Sequence, residues 1–522
     1  MVDIKKEQER DELHRAIWAI ADELRGAVDG WDFKNYVLGT MFYRYISENL
    51  TNYINSGEQD AGDTDFDYAK ISDAGAEEAR EGLVEEKGFF ILPSELFCNV
   101  NLKADNDENL NETLERVFNH IETSAKGSSS ESSFAGLFDD FDVNSNKLGS
   151  TVAKRNERLA KLLHGVADMN LGDVKDHDID AFGDAYEYLM TMYASGAGKS
   201  GGEFFTPADV SELLTRLGTV GKTEINKVYD PACGSGSLLL KAEKVLGKDA
   251  VRNGFYGQEI NITTYNLCRI NMFLHDVGFD KFDIACEDTL TAPQHWDDEP
   301  FELIVSNPPY SIKWAGDDNP LLINDPRFSP AGVLAPKSKA DLAFIMHSLS
   351  WLASNGTAAI VCFPGIMYRG GAEQKIRKYL IDNNFIDCII QLPGNLFFGT
   401  SIATCIMVLK KGKADNKTLF IDAAGEYIKV TNNNKLTQEN IERIVETFAN
   451  RTEEPHFSHL AGYGEIAEND YNLSVSAYVE AEDTSEKIDI VKLNAEIKEI
   501  VAREQVLRDE IDKIIAEIEV GV

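Results

Sequence analysis

A strand, a glycine turn and an apolar helix follow one another in residues 228–240, whose sequence is VYDPACGSGSLLL. The strand ends in an acid, Asp230, and the turn contains Gly234 and Gly236. Glycines allow a backbone to approach a ligand closely, and the N-terminus of the following helix offers free N–H groups. This order predicts a sheet whose strands alternate with helices, with a ligand site at the carboxyl end of this strand.

Short β-rich runs and helical stretches continue to alternate through the following 180 or so residues, as expected for a Rossmann-like α/β sheet. The predicted strands are residues 227–229, 254–258, 283–286, 303–306, 358–362, 386–391 and 403–409. This alternation predicts a mostly parallel sheet with helices on both faces. Residues 392–402 are too few for a crossover helix, so we expect the last strand to be antiparallel.

The sequence divides into three parts. Helical spacing of apolar residues, such as Leu38, Phe42 and Ile46, predicts an α-helical N-terminal domain in residues 1–165. The central α/β domain spans 166–430, and a C-terminal helical region spans 431–522.

The C-terminal region contains a heptad seam with one charged break. Its members, in steps of 4 and 3, are Leu493, Ile497, Ile500, Glu504, Leu507, Ile511, Ile514 and Ile518. The seam fits either a helix packed on its own domain or a coiled-coil-like arm that docks on another subunit.

Charge limits how this chain can contact nucleic acid. It has 51 Lys and Arg against 88 Asp and Glu, a net charge of −37, so such a contact needs a local basic strip or a basic partner subunit. We expect a cytoplasmic protein, because there is no apolar run of about 18 residues and the start is too charged for a signal peptide. The seven cysteines and nine histidines show no metal-ligand spacing, so no metal site is predicted.

The glycine turn differs from that of nicotinamide sites. Such a site reads G-x-G-x-x-G, whereas Leu239 stands at the third glycine position here. The D-P-x-x-G-x-G form is typical of S-adenosylmethionine sites. Glu259 ends the next predicted strand, where a ribose can be held. An ordinary tight turn is the alternative.

The segment Asn307, Pro308, Pro309 and Tyr310 follows another predicted strand. The two prolines stiffen the turn, which can present the Asn307 side-chain oxygen and the Pro308 carbonyl to one planar amino group. Tyr310 offers a face for stacking. Adenine N6 is a poor nucleophile, because its lone pair is delocalised into the ring, so methyl transfer needs positioning more than a strong base. Alone, this motif is more often a simple turn; its place two strands after the glycine turn favours catalysis.

Together, residues 230–236 and 307–310 resemble the amino-methyltransferases that methylate adenine N6 in DNA. Four further segments, residues 201–207, 340–344, 363–371 and 391–400, resemble the modification subunits of type I restriction systems. The resemblance covers roughly residues 10–430. It implies a site-specific, S-adenosylmethionine-dependent methyltransferase fold, with residues 166–430 as the catalytic domain.

The resemblance also implies roles for individual residues. The expected cofactor contacts are Glu203, Phe204, Phe205, Thr206, Pro207, Asp230, Cys233, Gly234, Ser235, Gly236, Glu259 and Asp288. Asp288 stands where the family has an acceptor for the cofactor adenine's amine. Phe397 or Phe398 would sandwich the flipped-out base against Tyr310, although both could equally be core residues.

The partners implied by the resemblance are double-stranded DNA, a specificity subunit, a second copy of this chain and a separate restriction and translocase subunit. The sequence has no nuclease-like carboxylate cluster and no translocase motif. Two alternatives stay open. Protein-glutamine N5 methyltransferases also carry Asn-Pro-Pro-Tyr, and a non-catalytic cofactor-binding scaffold could keep the fold without the reaction.

Overall fold

The computed structural model describes residues 2–24, 30–171, 181–196, 206–247, 249–398, 400–430, 433–481 and 490–520. Residues 1–479 form one compact unit and residues 480–522 a second. In the first unit the helices before the sheet are α1 (Val2–Leu24), α2 (Gly30–Asp60), α3 (Asp73–Glu77), α4 (Arg80–Lys87), α5 (Phe97–Lys103), α6 (Leu110–Ser124), α7 (Glu131–Phe134), α8 (Val152–Asp168), α9 (Ala181–Gly196) and α10 (Ala208–Gly218).

The remaining elements of the first unit alternate between strands and helices. They are β1 (Val228–Asp230), α11 (Ser237–Leu246), β2 (Phe255–Glu259), α12 (Ile262–Leu274), β3 (Phe282–Cys286), β4 (Phe301–Ser306), α13 (Asp341–Trp351), β5 (Leu352–Cys362), α14 (Ala372–Asp382), β6 (Ile386–Gln391), β7 (Cys405–Lys410), β8 (Lys417–Asp422), β9 (Ile428–Val430), β10 (Asn433–Lys435), α15 (Gln438–Asn450), β11 (Ser458–Gly462) and α16 (Tyr463–Glu468).

Within the described residues, nine strands form one mixed sheet in the order β11-β8-β6-β7-β5-β4-β1-β2-β3. The pairs β3-β2, β2-β1, β1-β4 and β4-β5 are parallel. β7 is antiparallel to both β5 and β6, which confirms the predicted antiparallel strand. All seven predicted strands are confirmed, although β5 begins at Leu352 rather than at residue 358.

Alternate residues of the strands face opposite sides of the sheet and bury two separate cores. In β4, Leu303 and Val305 belong to one core and Ile304 to the other. The larger core also includes Phe42 of α2, whose ring lies 5.7 Å from that of Phe273 in α12. The N-terminal helices therefore cover one face of the sheet, because alternation along a strand leaves an apolar surface on both faces.

The strand order changes direction between β1 and β4. From β1 the chain proceeds to β2 and β3 on one side, then returns to β4 and β5 on the other. The crevice outside the carboxyl ends of two such strands is the usual ligand site of an open α/β sheet. β1 ends at Asp230, and β4 ends at Ser306, directly before Asn307.

The sheet also extends beyond the seven predicted strands. β8 pairs with β6 in parallel, and β11 pairs with β8 in antiparallel fashion, while β9 and β10 form a separate hairpin. Residues 431–479, which the sequence assigns to a C-terminal helical region, therefore contribute an edge strand to the sheet. β11 reads SHLAG, which is too short and too polar for a pattern of alternation to reveal it.

The second unit contains α17 (Ile490–Val520). Its apolar residues at the heptad positions, including Leu493, Ile500 and Ile518, are between 45% and 66% exposed. None of the described helices is long and apolar enough to cross a membrane.

Candidate active site

A cavity of about 580 Å³ lies at the carboxyl ends of β1, β2 and β4. The predicted residues that line it are Gly234, Glu259, Asp288, Asn307, Pro309, Tyr310, Phe397 and Phe398. The glycine turn and the Asn-Pro-Pro-Tyr segment are more than 70 residues apart in sequence and share one cavity. The structure thus brings together the two motifs that the sequence singles out.

The glycine turn binds to the end of the neighbouring strand. Gly234 N–H donates to Glu259 Oε2 at 3.1 Å, and Asn261 N–H donates to Glu259 Oε1 at 2.9 Å. Burial raises the pKa of this carboxyl group, while the backbone donors oppose the rise. Gly236 has a φ of +80°, and a Cβ there would lie 2.7 Å from the sulfur of Cys268. Only glycine therefore fits at this position.

Asp230 connects the two motifs from below the cavity. Its Oδ1 accepts hydrogen bonds from Ser306 Oγ at 2.7 Å and from Ala232 N–H at 2.9 Å. Its Oδ2 is buried without a hydrogen-bond partner among the described residues. Burial raises the pKa of Asp230 to about 7, the hydrogen bonds from Ser306 and Ala232 lower it, and the Glu259 charge raises it further.

Asp288 closes a tight turn after β3. Its Oδ1 accepts from Leu290 N–H at 3.0 Å, and its Oδ2 accepts from Thr291 Oγ1 at 2.6 Å. Thr289 Oγ1 donates to the Pro231 carbonyl at 2.6 Å, so this turn is fixed to the segment that follows β1. Asp288, Thr289 and Leu290 all line the cavity.

The Asn307 amide is held from two sides. Tyr310 OH donates to Asn307 Oδ1 at 2.5 Å, and Asn307 Nδ2 donates to Thr206 Oγ1 at 3.2 Å. Burial raises the pKa of Tyr310 well above its usual value. The neutral phenol therefore stays a hydrogen-bond donor throughout the physiological pH range.

The turn after Tyr310 is fixed by a buried acid. Ser311 has a φ of +52°, and its N–H donates to Asp341 Oδ2 at 3.0 Å. Behind the turn, Pro308 and Asp341 line a cavity of about 10 Å³. Asp341 at the start of α13 therefore holds the end of the Asn-Pro-Pro-Tyr segment in a backbone conformation that residues other than glycine rarely adopt.

The two predicted stacking residues differ in burial. Phe397 is 2% exposed and belongs to the larger core, whereas Phe398 is partly buried at its edge, and both line the cavity. The β9–β10 hairpin supports their loop. Asn434 N–H donates to the Asn395 carbonyl at 2.9 Å, and Asn434 Nδ2 donates to the Gly394 carbonyl at 2.8 Å.

The remaining predicted residues take different places. Glu203, Phe204 and Phe205 lie outside the described residues. Pro207 caps the N-terminus of α10. The Cys233 and Ser235 side chains are buried, which leaves the backbone of their turn nearest the ligand site.

Several residues of the cavity wall escape sequence patterns. Ile260 and Glu287 flank predicted acids, and their positions just after β2 and β3 could have indicated them. Lys313 and Trp314 lie in a segment with no regular periodicity, so nothing in the sequence indicates that they face the cavity.

His295, Asp283 and Asp298 form a polar group at the edge of the sheet that the sequence spacing does not indicate, and their ligand atoms lie within 4.8 Å of one another. His295 Nε2 lies 2.9 Å from the Gly257 carbonyl, and Nδ1 lies 3.2 Å from Asp298 Oδ2. Both ring nitrogens therefore have protein partners, and the group fixes the loop between β3 and β4.

Comparisons with known proteins identify the family that this chain resembles. The family model described as "N-6 DNA Methylase" matches residues 177–487, and the one described as "HsdM N-terminal domain" matches residues 13–166. The type I restriction enzyme MpnII methylase subunit of Mycoplasma pneumoniae is 49% identical over 99% of this chain and 98% of that protein.

Two further proteins are similar. The type I restriction enzyme HindI methylase subunit of Haemophilus influenzae is 32% identical over 64% of this chain and 77% of that protein. The crystal structure of the type I restriction-modification system methyltransferase subunit from Streptococcus thermophilus superposes with a TM-score of 0.82 at 36% identity. The match covers 90% of this chain and all of that one.

Proposed function

We propose a catalytic scheme for this chain, which belongs to the N-6 DNA methylase family and is the adenine-specific DNA methyltransferase subunit of a type I restriction-modification system. Membership in this family favours this activity over the protein-glutamine methyltransferase and the non-catalytic scaffold. In the scheme, S-adenosylmethionine occupies the cavity at the ends of β1 and β2, and the target adenine enters beside Asn307. One observation carries it: a single cavity is lined by both motifs.

The residues present fit a cationic nucleoside cofactor. Among the described residues, the cavity wall contains Glu259, Glu287 and Asp288 with one lysine, Lys313. This charge balance favours a sulfonium over an anionic phosphate. Asp230 Oδ2, buried and without a described partner, adds an uncompensated acceptor below the turn. Glu259 would hold the ribose hydroxyls, and Asp288 would accept from the adenine amine.

The other proposed cofactor contacts are Thr206, Pro207 and the turn residues Cys233, Ser235 and Gly236, with Glu203, Phe204 and Phe205 outside the described residues. When bound, the cofactor supplies an electrophilic methyl group.

Asn307 and Pro308 would act on the target amine. The Asn307 oxygen and the Pro308 carbonyl accept the two N–H groups, which orients the nitrogen and returns electron density to it. Pro309 keeps the turn rigid, because its ring fixes the backbone. The methylated nitrogen then loses one proton to solvent.

The base must leave the duplex to reach Asn307. We propose that Tyr310 stacks on one face of the flipped base, and that Phe398 rather than Phe397 lies on the other. Phe397 is 2% exposed and anchors the loop in the core, whereas Phe398 is only partly buried. Stacking of this kind contributes about 1–3 kcal/mol per base.

Because the chain has a net charge of −37, a DNA-reading partner subunit would supply the cationic contacts to the DNA phosphates. We propose that α17 docks on a specificity subunit through its exposed heptad stripe, which includes Leu507, Ile511 and Ile514. The complex would contain a second copy of this chain and recruit a restriction and translocase subunit on double-stranded DNA in the cytoplasm. The boundary at residue 165 stays a proposal, and the catalytic domain proposed for 166–430 would extend to include the edge strand β11.

The test is transfer of labelled methyl from S-adenosylmethionine to mixed-sequence genomic DNA, followed by nucleoside analysis. The chain is assayed alone and then with the specificity subunit encoded beside it. We expect N6-methyladenine only with the partner. Label with the chain alone would contradict the partner requirement, and no label in either case would contradict the assigned active site.

A further inference from the structure

Arg327 is a buried arginine in the irregular segment between the Asn-Pro-Pro-Tyr turn and α13. It is among the largest side chains that are less than 2% exposed. An arginine has five N–H donors and cannot be deprotonated in a protein. Burying this cation is therefore costly unless every donor has a partner.

All five donors of Arg327 are used. Nη1 donates to the Thr289 carbonyl at 2.8 Å, and Nη2 donates to the Leu290 carbonyl at 2.8 Å. Nη2 and Nε also donate to the two oxygens of Asp325, at 2.7 and 3.0 Å. The fifth N–H, on Nη1, faces His347 Nδ1 at 3.2 Å. Thr289 and Leu290 line the cavity, whereas Arg327 does not.

The contact with His347 extends this network to β1. Because Arg327 can only donate, His347 Nδ1 must accept, so Nε2 carries the hydrogen and donates to Tyr229 OH at 2.8 Å. Burial and the charges of Arg327 and His295 lower the pKa of His347 well below its usual value, which agrees with a neutral ring. Tyr229 directly precedes Asp230.

Arg327 also supports a second wall of the cavity. Its guanidinium lies 4.7 Å from the centre of the Phe328 ring, and Phe328 packs edge-on against Trp314, 5.4 Å between ring centres. Trp314 lines the cavity. One buried side chain is thus in contact with the turn at residues 288–290 and, through Phe328, with the wall at Trp314.

We propose that Arg327 is a positioning residue for the cofactor: it holds the turn at residues 288–290 and the Trp314 wall at the separation that the adenosine half of S-adenosylmethionine requires. The inference rests on the proposed cofactor site. Arg327 touches no reacting atom, so its loss weakens cofactor binding and leaves the methyl transfer of the saturated enzyme largely intact.

The test compares R327K with R377K by calorimetry, using S-adenosylmethionine and S-adenosylhomocysteine. Lysine keeps the charge beside Asp325 but cannot span two carbonyls and a carboxylate. Arg377 is the matched control. It is equally buried and donates to the carbonyls of Ile366, Arg369 and Tyr471, none of which lines the cavity. We expect R327K to raise Kd about tenfold or more for both ligands, and R377K to leave it within about twofold.

Thermal unfolding and turnover with the specificity subunit complete the design. Both variants should lose similar Tm, and R327K should keep kcat within about threefold at saturating cofactor. Where R327K does not fold, D325N replaces it, because Asp325 lies outside the cavity wall and acts through Arg327; we expect a smaller rise in Kd.

Two outcomes would overturn the inference while wild type binds the cofactor: an unchanged Kd in the folded Arg327 variant, or equal rises in R327K and R377K. Failure of wild type itself to bind would instead contradict the proposed cofactor site.

Discussion

The Tyr310 hydroxyl donates a hydrogen bond to Asn307 Oδ1 across 2.5 Å. The acceptor proposed for the target amine is therefore already in use before DNA arrives. An amide oxygen has two acceptor positions, so an entering amine can bind beside the phenol or replace it. The ring and the hydroxyl of Tyr310 thus have separable roles.

Two substitutions at Tyr310 separate the role of the ring from that of the hydroxyl. Y310F keeps the stacking face and frees the acceptor, so we expect kcat to stay within about threefold of wild type. Y310A removes the face, and kcat/KM for DNA should fall about 5- to 150-fold, the equivalent of about 1–3 kcal/mol of stacking. Steady-state methylation of DNA measures both. Equal losses in the two variants would mean that the hydroxyl, rather than the ring, carries the role.

Removing the Asn307 side chain should separate catalysis from cofactor binding. In N307A only one of the two proposed acceptors is left for the amine, so we expect kcat to fall about 100-fold or more. The Kd for S-adenosylmethionine should change little, because Asn307 belongs to the target side of the cavity. Calorimetry measures the Kd, and single-turnover methylation measures the rate of methyl transfer. A parallel loss of cofactor affinity would contradict the role of Asn307 as an acceptor for the target amine.

Thr206 offers a test of how the amide is oriented. The sequence predicts it as a cofactor contact, while in the structure its Oγ1 accepts from Asn307 Nδ2 at 3.2 Å. T206V keeps the shape and loses the hydroxyl, so the amide can rotate and kcat should fall about tenfold. T206S keeps the hydroxyl and serves as the matched control. An unchanged kcat in T206V would contradict the orienting role, and a raised Kd for the cofactor would support the proposed cofactor contact of Thr206.

The sequence predicts those parts of the site whose position depends on local features of the chain. The glycine turn and the Asn-Pro-Pro-Tyr segment each follow a strand, so the sequence alone predicts that their residues lie at one edge of the sheet. The hydrogen bond from Ser306 to Asp230 is a direct result of β1 and β4 being neighbours. The alternation of elements predicts a parallel sheet, whereas the order of its strands is seen only in the structure.

Arg327 could not be found in this way. It lies in a stretch of short turns with no period of 2 or 3.6, and its partner Thr289 is 38 residues away in sequence. Its partners are backbone carbonyls, which carry no residue-specific signal. The edge strand β11 escaped for a related reason: its pairing with β8 depends on backbone hydrogen bonds rather than on apolar alternation.

Glu259 should control cofactor affinity through both of its oxygens. Gly234 N–H and Asn261 N–H each donate to one of them, which aims the carboxylate at the cavity. In E259Q one of these donors would face an NH₂ group. We expect Kd to rise about 10- to 100-fold, because hydrogen bonds to a charged group contribute about 1.5–3 kcal/mol. Calorimetry measures this Kd, provided that the Tm of E259Q matches that of wild type. A Kd equal to that of wild type would show that Glu259 does not bind the cofactor.

Asp230 predicts a pH dependence of cofactor binding. Burial raises its pKa to about 7, so in the unliganded protein the group is largely protonated at pH 6 and ionised at pH 8. For folding, the sign is clear: the folded state binds this proton more tightly than the unfolded state. The contribution to stability is therefore complete below pH 4 or so and lost as pH rises through about 7.

Cofactor binding has the opposite pH dependence, because it is favoured when Asp230 is ionised. A bound sulfonium favours the carboxylate and lowers its pKa, so binding below pH 7 or so releases a proton. The Kd should be about tenfold weaker at pH 6 than at pH 8, since roughly nine molecules in ten must lose the proton at the lower pH. Titrations in two buffers of different ionisation enthalpy count the protons released. D230N keeps the acceptor for Ser306 and Ala232 but cannot ionise, so its Kd should be flat over this range. If D230N shows the same slope as wild type, another group is responsible and Asp230 does not sense the cofactor's charge.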